Sequence, residues 1–397
     1  MKILHTSDWH IGRKLYNSEL KQDMLLFFDW LLETIDNQKI DVLIIAGDIF
    51  DIAYPSNDSL KTYYKFLTRI NNSYCSDVVI IGGNHDSKST LEAPKDILQM
   101  MNIHVVGGTK ENIKNQIFEI KKDERVELVV CAIPYLRDKD VRQSVAGESY
   151  EDRKSNIRDG IANYFEKMAE LVVDYKAQNI PIIATGHLFV NDSSDISNEE
   201  RELYIGSLQQ ISAKRFPQEF DYVALGHIHR PQKVTDKIRY SGSPLPMSFS
   251  ERKQQKSVLI LDTNNDSSLN INKIDIPKFR NIVLFKGTFM EVRNKIENYK
   301  DDGNQIAWIE IEIVEQKFNP ELRSMAESYI EGVKNLEILN YKILFEENIK
   351  SIEQLIEEPR SLENISQTEI FDRLLAKTNT ENPQELKETF NELLSNL

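Results

Sequence analysis

The sequence predicts an α/β protein whose core is a sandwich of two β-sheets flanked by helices. Short apolar runs typical of buried strands alternate with amphipathic helical patterns from residue 1 to about residue 190. Beyond residue 180 the chain becomes rich in strand-type runs, at 180–185, 221–225, 237–241 and 257–262. This order favours two stacked sheets over one fully parallel sheet, and we expect residues 1–276 to form a single domain.

The helices of this domain are indicated by apolar side chains that recur at helical spacing. Residues 19–39 carry a broad apolar face that includes Met24 and Phe28. The segments 57–70 and 151–177 show the same pattern, and the second of them is predicted as one long helical segment.

A second, smaller α+β unit with the order β-α-β-α-β is predicted for residues 277–346. Its first strand covers 281–286, and the sequence Thr288-Phe289-Met290-Glu291 is a capping box that begins a helix reaching about Tyr299. The remaining elements are a strand at 306–314, a helix that begins at Asn319-Pro320 and a strand at 337–345. The unit contains neither His nor Cys, so no chemistry is assigned to it.

The end of the chain is predicted to be a linker followed by two short helices. Residues 347–365 are acidic and contain Pro359. Residues 366–397 form the helical segment, whose apolar residues are Ile370, Phe371, Leu374 and Leu375 in one helix and Leu386, Phe390, Leu393 and Leu394 in the other. Two such helices are too small to bury these side chains alone, so they pack either on their own protein or on a partner helix.

The overall composition limits the possible classes of function. A net charge of −14 argues against a protein that grips nucleic acid through overall electrostatics, although a metal pair could supply positive charge locally. No stretch reaches the roughly 18 apolar residues of a membrane helix. Met1-Lys2-Ile3-Leu4 enters a strand at once, and Cys75 and Cys131 lack metal or redox spacing. We therefore expect a cytoplasmic protein that does not contact membranes.

Five short polar motifs follow five of the apolar strand-type runs. They are Asp8-Trp9-His10, Gly47-Asp48-Ile49-Phe50-Asp51, Gly83-Asn84-His85-Asp86, Gly186-His187 and Gly226-His227-Ile228-His229. In layered α/β folds ligands gather where strands end at one edge of a sheet, so these side chains are expected in one cluster. Five of the seven histidines of the chain lie in the motifs. The set predicts a phosphoesterase site with two metal ions.

The ligands divide into two predicted sets that share one carboxylate, that of Asp48. The first set is Asp8, His10, Asp48 and His229; the second is Asp48, Asn84, His187 and His227. Oxygen and nitrogen ligands without thiolate suit Mn²⁺, Fe or Zn²⁺ better than Mg²⁺ or Ca²⁺. Two such ions about 3.5–4 Å apart can activate a water molecule and polarise a phosphate for in-line attack.

His85 is expected to act on the substrate and not to bind metal. It follows the ligand Asn84 at a tight turn, which directs its side chain elsewhere, and a general acid or a stabiliser of transition-state charge is needed there. Asp51 could orient His85 by accepting its other ring N–H, and Asp86 is the alternative. The two remaining histidines, His5 and His104, are expected to be packing or supporting residues.

Together the five motifs resemble those of the calcineurin-like metallophosphoesterases. The surrounding residues are closer still to one branch, the Mre-type DNA-repair nucleases, in residues 5–12, 47–51 and 240–251. The resemblance covers the first 262 residues by motif, and the remainder by length and domain order only.

This resemblance implies a metallophosphoesterase fold and a Mn²⁺-dependent enzyme of DNA repair and recombination. Its activities would be a 3′ to 5′ exonuclease on double-stranded DNA and an endonuclease on single strands and hairpins. It also implies that residues 277–346 are a capping domain that helps to hold DNA, that residues 366–397 bind an SMC-like ATPase, and that the protein forms a homodimer. The chain contains no Gly-x-x-x-x-Gly-Lys-Ser/Thr, so any ATP would be bound by that partner.

Two other functions fit the same motifs less well. A phosphoprotein phosphatase or small-molecule phosphodiesterase shares the scaffold, but serine/threonine phosphatases usually carry Arg directly after Gly-Asp-x-x-Asp, where this chain has Ile52. A scaffold protein with a dead site would lack ligands, and none is missing.

The sequence does not identify the residues that would contact DNA. Arg13 and Lys14 are candidates, although exposed basic residues commonly only face solvent.

Overall fold

Two six-stranded sheets form the larger part of the protein. The computed structural model describes residues 1–142, 147–190, 210–263, 269–334 and 336–345, together with positions 386, 387 and 390. In spatial order the strands of the first sheet are β16 (Leu269–Asp275), β15 (Ser257–Thr263), β1 (Lys2–Thr6), β4 (Val42–Ala46), β5 (Asp77–Ile81) and β6 (Ile103–Val106). The strands β1, β4, β5 and β6 are parallel, and β15 and β16 are antiparallel to their neighbours.

The second sheet has the same mixed character. Its strands, in spatial order, are β13 (Gln232–Lys233), β14 (Ile238–Tyr240), β12 (Tyr222–Gly226), β9 (Ile182–His187), β8 (Arg125–Cys131) and β7 (Ile117–Lys122). The central four are parallel, and β7 and β13 are antiparallel edge strands. Two short pairs within the described residues lie outside the two large sheets, β2 (Lys14–Leu15) with β3 (Ser18–Glu19), and β10 (Phe189–Val190) with β11 (Gln210–Ile211).

The inner faces of the two sheets pack on each other through β-branched and small side chains. Ile44 and Val79 from the first sheet lie in one buried cluster with Val130 and Ala224 from the second. Central parallel strands covered on both faces are typically continuous apolar runs, and β4 is buried over its whole length. The predicted two-sheet α/β sandwich flanked by helices is confirmed.

Helices cover the outer faces of both sheets. In the described part of the larger unit these helices are α1 (Lys21–Gln38), α2 (Asn57–Ile70), α3 (Lys88–Glu92), α4 (Lys95–Gln99), α5 (Asp138–Val141), α6 (Tyr150–Glu170) and α7 (Val173–Ala177). α1 and α2 contribute Phe28 and Phe66 to an aromatic cluster around the buried Trp9. Phe165 of α6 lies in the cluster that covers the outer face of the second sheet. None of the helices among the described residues has the length and apolar character needed to cross a membrane.

The long helix predicted over 151–177 is in fact two helices. α6 ends at Glu170 and α7 begins at Val173. The backbone N–H groups of Leu171 and Val172 bond to carbonyls three residues back, which tightens the last turn of α6 and leaves Val172 fully buried. Helical spacing of apolar residues continues through such a turn, so the sequence pattern does not reveal the break.

By their mutual contacts the residues fall into two compact units, one formed by 1–283 with 301–308 and the other by the described residues of 284–300 and 309–397. The elements after residue 277 are β17 (Ile282–Gly287), α8 (Phe289–Asn298), β18 (Trp308–Glu315), α9 (Leu322–Gly332) and β19 (Glu337–Phe345), and the three strands form one sheet. The predicted capping box is confirmed, because the side chains of Thr288 and Glu291 each accept the other's backbone N–H. The division at 276, 346 and 365 stays a prediction, and 347–397 lie outside the described residues apart from 386, 387 and 390.

Candidate metal centre

The five polar motifs lie at the carboxyl ends of five parallel strands drawn from both sheets. β1, β4 and β5 lead into Asp8, Asp48 and Asn84, and β9 and β12 lead into His187 and His227. All the strands end on the same edge of the sandwich because they run parallel within each sheet. The structure therefore brings together side chains that are up to about 220 residues apart in the sequence; the His227 backbone N–H, for example, donates to Asp8 Oδ1 at 2.9 Å.

The backbone at this edge is held in an unusual conformation. Asp8, His10, Asp48 and His227 all have positive φ angles, of 54°, 46°, 50° and 99° respectively. Such conformations are costly for residues other than glycine and persist only where the surroundings impose them, commonly at functional sites. In this protein they turn four side chains, at the ends of three strands, into one cluster.

Close backbone packing also explains one glycine of the motifs. A Cβ atom on Gly83 would lie 2.1 Å from Asp48 Oδ1, which is far inside van der Waals contact. Any other residue before Asn84 would therefore displace the Asp48 carboxylate.

Asp48 lies between the two predicted ligand sets. Its Oδ2 atom is 3.2 Å from His187 Nε2 and 3.5 Å from His10 Nε2, and its Oδ1 atom accepts the backbone N–H of His85 at 2.9 Å. The side chain is 3% exposed. This placement suits a carboxylate that bridges two cations.

The ligand atoms of the first predicted set lie close together. One ligand atom from each of Asp8, His10 and His229 lies within 4.8 Å of the others. His10 Nδ1 faces the Asp51 carboxylate at 3.2 Å, whereas His10 Nε2 is buried without a hydrogen-bond partner and lies 3.5 Å from Asp48 Oδ2. A buried polar atom without a partner is costly, and a cation at this point would satisfy it.

The second predicted set is similarly compact. Asn84 Oδ1 lies 3.0 Å from His187 Nε2 and 3.0 Å from His227 Nδ1. His187 Nδ1 is 2.9 Å from the carbonyl oxygen of Ala46, which can only accept, so this nitrogen carries the ring hydrogen and Nε2 is the atom that faces Asn84 and Asp48. The residues thus present oxygen and nitrogen lone pairs to one point, and the donor set fits a divalent cation.

The charges of the site favour the same conclusion. Burial disfavours the charged form of both His187 and Asp48, but their mutual attraction outweighs it, raises the pKa of His187 to about 9 and lowers that of Asp48. Burial, reinforced by His187, lowers the pKa of His227 to about 3, so this ring is neutral and its lone pair is available. A cation between these groups would replace the proton that His187 otherwise shares with Asp48.

The structure places His85 beside the cluster with its ring fixed by Asp51. Its Nδ1 atom lies 2.7 Å from the Asp51 backbone carbonyl oxygen, and its ring stands edge-on to that of His10, with 4.9 Å between the centroids. The predicted partner is therefore present, but it uses its main-chain oxygen and not its carboxylate. The Asp51 carboxylate instead lies 3.2 Å from His10 Nδ1 and 3.3 Å from Arg13 Nη1. Burial alone would raise the pKa of Asp51, but His10 and Arg13 outweigh it and lower that pKa below its usual value.

Asp86, the alternative orienter of His85, has a different task. Its carboxylate accepts the backbone N–H groups of Ile49, Phe50 and Gly83 at 2.9–3.0 Å and is buried. It thereby joins the loop that carries Asp48 to the loop that carries Asn84.

The other residues singled out in the sequence have partners outside the predicted ligand sets. His5 is fully buried, with Nδ1 3.0 Å from the Tyr222 hydroxyl, and His104 stacks on Phe118. Lys14, a candidate for contacting DNA, forms an exposed ion pair with Glu19.

Sequence reasoning missed the supporting residues of segment 240–251. Ser7 Oγ donates to Asp8 Oδ2 and lies 2.8 Å from Ser241 Oγ, while Glu251 Oε1 lies 3.6 Å from His229 Nδ1. Burial opposes the charge of Glu251, but His229 and Lys256 outweigh it and lower the pKa of Glu251 to about 2. The resemblance drew attention to these residues without giving them a role.

Comparison with known proteins agrees with this architecture. The family described as calcineurin-like phosphoesterase matches residues 1–231, and the one described as type 5 capsule protein repressor C-terminal domain matches residues 278–379. A two-sheet sandwich with Asp, Asn and His side chains gathered at its strand ends defines a metallophosphoesterase, a class that uses divalent metal ions.

The relatives narrow this class further. The chain is 31% identical over 380 residues to the SbcD subunit of the nuclease SbcCD from Escherichia coli (strain K12), and equally to the same protein from Escherichia coli O157:H7. Each alignment covers 95% of this chain and 93% of the relative. The chain belongs to the calcineurin-like phosphoesterases and, within them, to the SbcD nuclease family. A β-glucosidase from Exiguobacterium marinum aligns over 86% of this chain and 89% of its own at 11% identity, but its TM-score of 0.22 is too low to bear on fold or function.

Proposed function

We propose that this protein is a two-metal, Mn²⁺-dependent phosphodiesterase that cleaves DNA in repair and recombination. Its activities would be 3′ to 5′ exonuclease cleavage of double-stranded DNA and endonuclease cleavage of single strands and hairpins. The observation that carries the proposal is the position of Asp48, whose carboxylate lies within 3.5 Å of ring nitrogens from both predicted ligand sets. The relatives are nucleases by name, which supports the substrate class.

The side chains would divide the work between two ions. Asp8, His10, Asp48 and His229 would hold one ion, and Asp48, Asn84, His187 and His227 the other. Two bound cations would polarise a phosphate ester and lower the pKa of the attacking water. Oxygen and nitrogen donors without thiolate suit Mn²⁺.

His85 would act on the leaving oxygen through Nε2. The Asp51 carbonyl oxygen can only accept, so the contact at 2.7 Å fixes the ring hydrogen on Nδ1. A proton delivered to the substrate must then come from Nε2 of the doubly protonated ring. The Asp51 main chain orients the ring, and its carboxylate supports His10.

The surroundings of the site favour a phosphodiester over a phosphomonoester. Ile52 follows the Gly-Asp-x-x-Asp motif where serine/threonine phosphatases usually have Arg, and it is 59% exposed. Arg13 contacts the Asp51 carboxylate and the Met247 carbonyl oxygen, both at 3.3 Å. In the phosphatases the Arg after the motif binds the phosphate of a phosphomonoester. A phosphodiester carries one charge fewer, so it has less need of an arginine at this position.

We also propose that the protein works in the cytoplasm as a homodimer with an SMC-like ATPase of the SbcC type. The relatives are named as subunits of SbcCD, which supports a partner protein. Residues 277–346 would cap the nuclease domain and help to hold DNA, and residues 366–397 would bind the ATPase. The apolar residues of 366–397 favour a helical partner, and the excess of acidic over basic residues in 351–397 makes DNA a poor alternative.

The test is an assay of the purified protein on labelled duplex DNA, with and without Mn²⁺ and chelator, beside a nitrophenyl phosphate. Duplex cleavage that requires Mn²⁺ supports the proposal, and hydrolysis of the monoester alone would favour a phosphatase. Asp48→Ala should abolish cleavage even under saturating Mn²⁺. The control Asp29→Asn, which alters an exposed ion pair with Arg69, should leave cleavage unchanged. An Asp48→Ala variant that keeps most of its activity contradicts the bridging role.

A further inference from the structure

Residues 240–256 contain no predicted metal ligand, but they support two ligands of the ion that Asp8, His10, Asp48 and His229 would hold, which is called the first ion below. In residues 240–256, Ser241 reaches Asp8 through the Ser7 hydroxyl, and Glu251 reaches the His229 ring. Ser7 and Ser241 are fully buried, and the Glu251 side chain is 12% exposed. These contacts converge on Asp8 and His229, which belong to the same predicted set.

The Glu251 carboxylate is itself held in place by a buried cation. Lys256 is 4% exposed, and its ammonium group donates to Glu251 Oε2, to the Ser243 hydroxyl at 3.0 Å and to the His229 carbonyl oxygen at 2.9 Å. Glu251 Oε2 also accepts the Met247 backbone N–H at 3.2 Å. Since Oε2 takes these bonds, Oε1 is the oxygen that faces His229 Nδ1.

The backbone of the segment is fitted closely against the residue that it supports. Gly242 has a φ of 76°, and a Cβ atom there would lie 2.8 Å from the His229 carbonyl oxygen and 2.6 Å from the Pro231 nitrogen. The Ser243 backbone N–H donates to the same carbonyl oxygen at 3.1 Å. His229 is therefore fixed at its main chain by Ser243 and Lys256, and its ring is left to be oriented by Glu251.

We propose that Glu251 is a positioning residue for the first ion, which orients the His229 ring through Nδ1 so that Nε2 is the metal-binding atom. A carboxylate behind a metal-binding histidine fixes its tautomer and raises its basicity as a ligand. The 3.6 Å separation is long for a hydrogen bond, and such supporting contacts commonly tighten when the site is filled. This inference rests on the proposed two-metal function.

The test compares Glu251→Gln with Glu92→Gln by titrating each purified protein with Mn²⁺ and measuring bound ions by electron paramagnetic resonance. Glu92 is a matched control, because it is also little exposed, pairs with a lysine (Lys110) and accepts a backbone N–H, yet contacts no predicted ligand. In Glu251→Gln the neutral amide supports the His229 ring poorly. We expect the first ion to bind about 10- to 100-fold more weakly and the second to be unchanged.

Three outcomes decide the matter. A wild-type protein that binds fewer than two Mn²⁺ ions overturns the proposed function and, with it, this inference. The positioning role alone is overturned if both the wild type and a folded Glu251→Gln variant bind two ions, and if the variant binds each ion as tightly as the wild type does. If Glu251→Gln fails to fold, Glu251→Asp keeps the negative charge for Lys256 but withdraws the carboxylate from the His229 ring, and it should show the same selective loss of one ion.

Discussion

The Asp86 carboxylate provides a sharp test of how the site is built. It is 2% exposed and accepts three backbone N–H groups: those of Ile49 and Gly83 at Oδ2, at 3.0 and 2.9 Å, and that of Phe50 at Oδ1, at 3.0 Å. Asp86 therefore connects the loop after β4 to the loop after β5. Replacing it by alanine leaves all three donors without an acceptor.

The expected loss follows from these bonds. An unsatisfied buried donor costs about 1–3 kcal/mol, so the three lost hydrogen bonds alone should lower the free energy of unfolding of Asp86→Ala by about 3 kcal/mol or more. In Asp86→Asn the amide oxygen can still accept two of the three backbone N–H groups, but the third faces the amide NH2 group and has no acceptor. The free energy of unfolding should therefore fall by about 1–3 kcal/mol. Burial and the nearby Asp48 carboxylate raise the pKa of Asp86 to about 6, so removal of its charge offsets part of the loss in both variants and leaves their order unchanged.

The assay is urea-induced unfolding at pH 8 with chelator present, so that metal binding does not contribute. Asp29→Asn serves as the control, because its exposed ion pair should be worth less than about 1 kcal/mol. The order of stability should be wild type, Asp86→Asn, Asp86→Ala. Both variants remove the same charge, so an Asp86→Ala variant as stable as Asp86→Asn would refute the reasoning.

Three further predictions concern catalysis, partner binding and pH. His85→Gln should retain bound metal and lose on the order of 10²-fold or more in single-turnover cleavage; loss of metal would instead make His85 a ligand. Deletion of 366–397 should spare metal-dependent cleavage and abolish co-purification with the ATPase, whereas a truncated protein that still co-purifies would place the binding surface elsewhere. Burial lowers the pKa of His5 to about 3, so the unfolded chain binds a proton below pH 6.5 that the folded chain does not. His5 should then contribute a fall in stability of about 1.4 kcal/mol per pH unit between pH 6.5 and about pH 3, and urea unfolding of His5→Gln should lack this contribution.

Much of this fold was predictable because its central strands are buried on both faces. Such strands are continuous apolar runs, and polar residues directly after them mark the edge where ligands gather. The clustering of Asp8, Asp48 and Asn84 with the motif histidines followed from that rule. The break between α6 and α7 was not predictable, because three-residue hydrogen bonds at Leu171 and Val172 leave the apolar spacing unchanged.

The details of orientation could not be read from the sequence for a different reason. Whether Asp51 meets His85 through its carboxylate or its carbonyl oxygen depends on the backbone path after β4, which residue identity does not specify. Similarly, Glu251 lies 22 residues beyond His229, and the packing of Gly242 and the hydrogen bonds of Ser243 and Lys256 at the His229 main chain bring the two side chains together.

The central claim is that two cations share the Asp48 carboxylate. Anomalous diffraction from crystals soaked in Mn²⁺ tests it most directly, because each bound ion gives its own peak. We predict two peaks about 3.5–4 Å apart, one beside Asp8, His10 and His229 and the other beside Asn84, His187 and His227. A single peak, or two peaks of which only one lies within bonding distance of Asp48, would contradict the account.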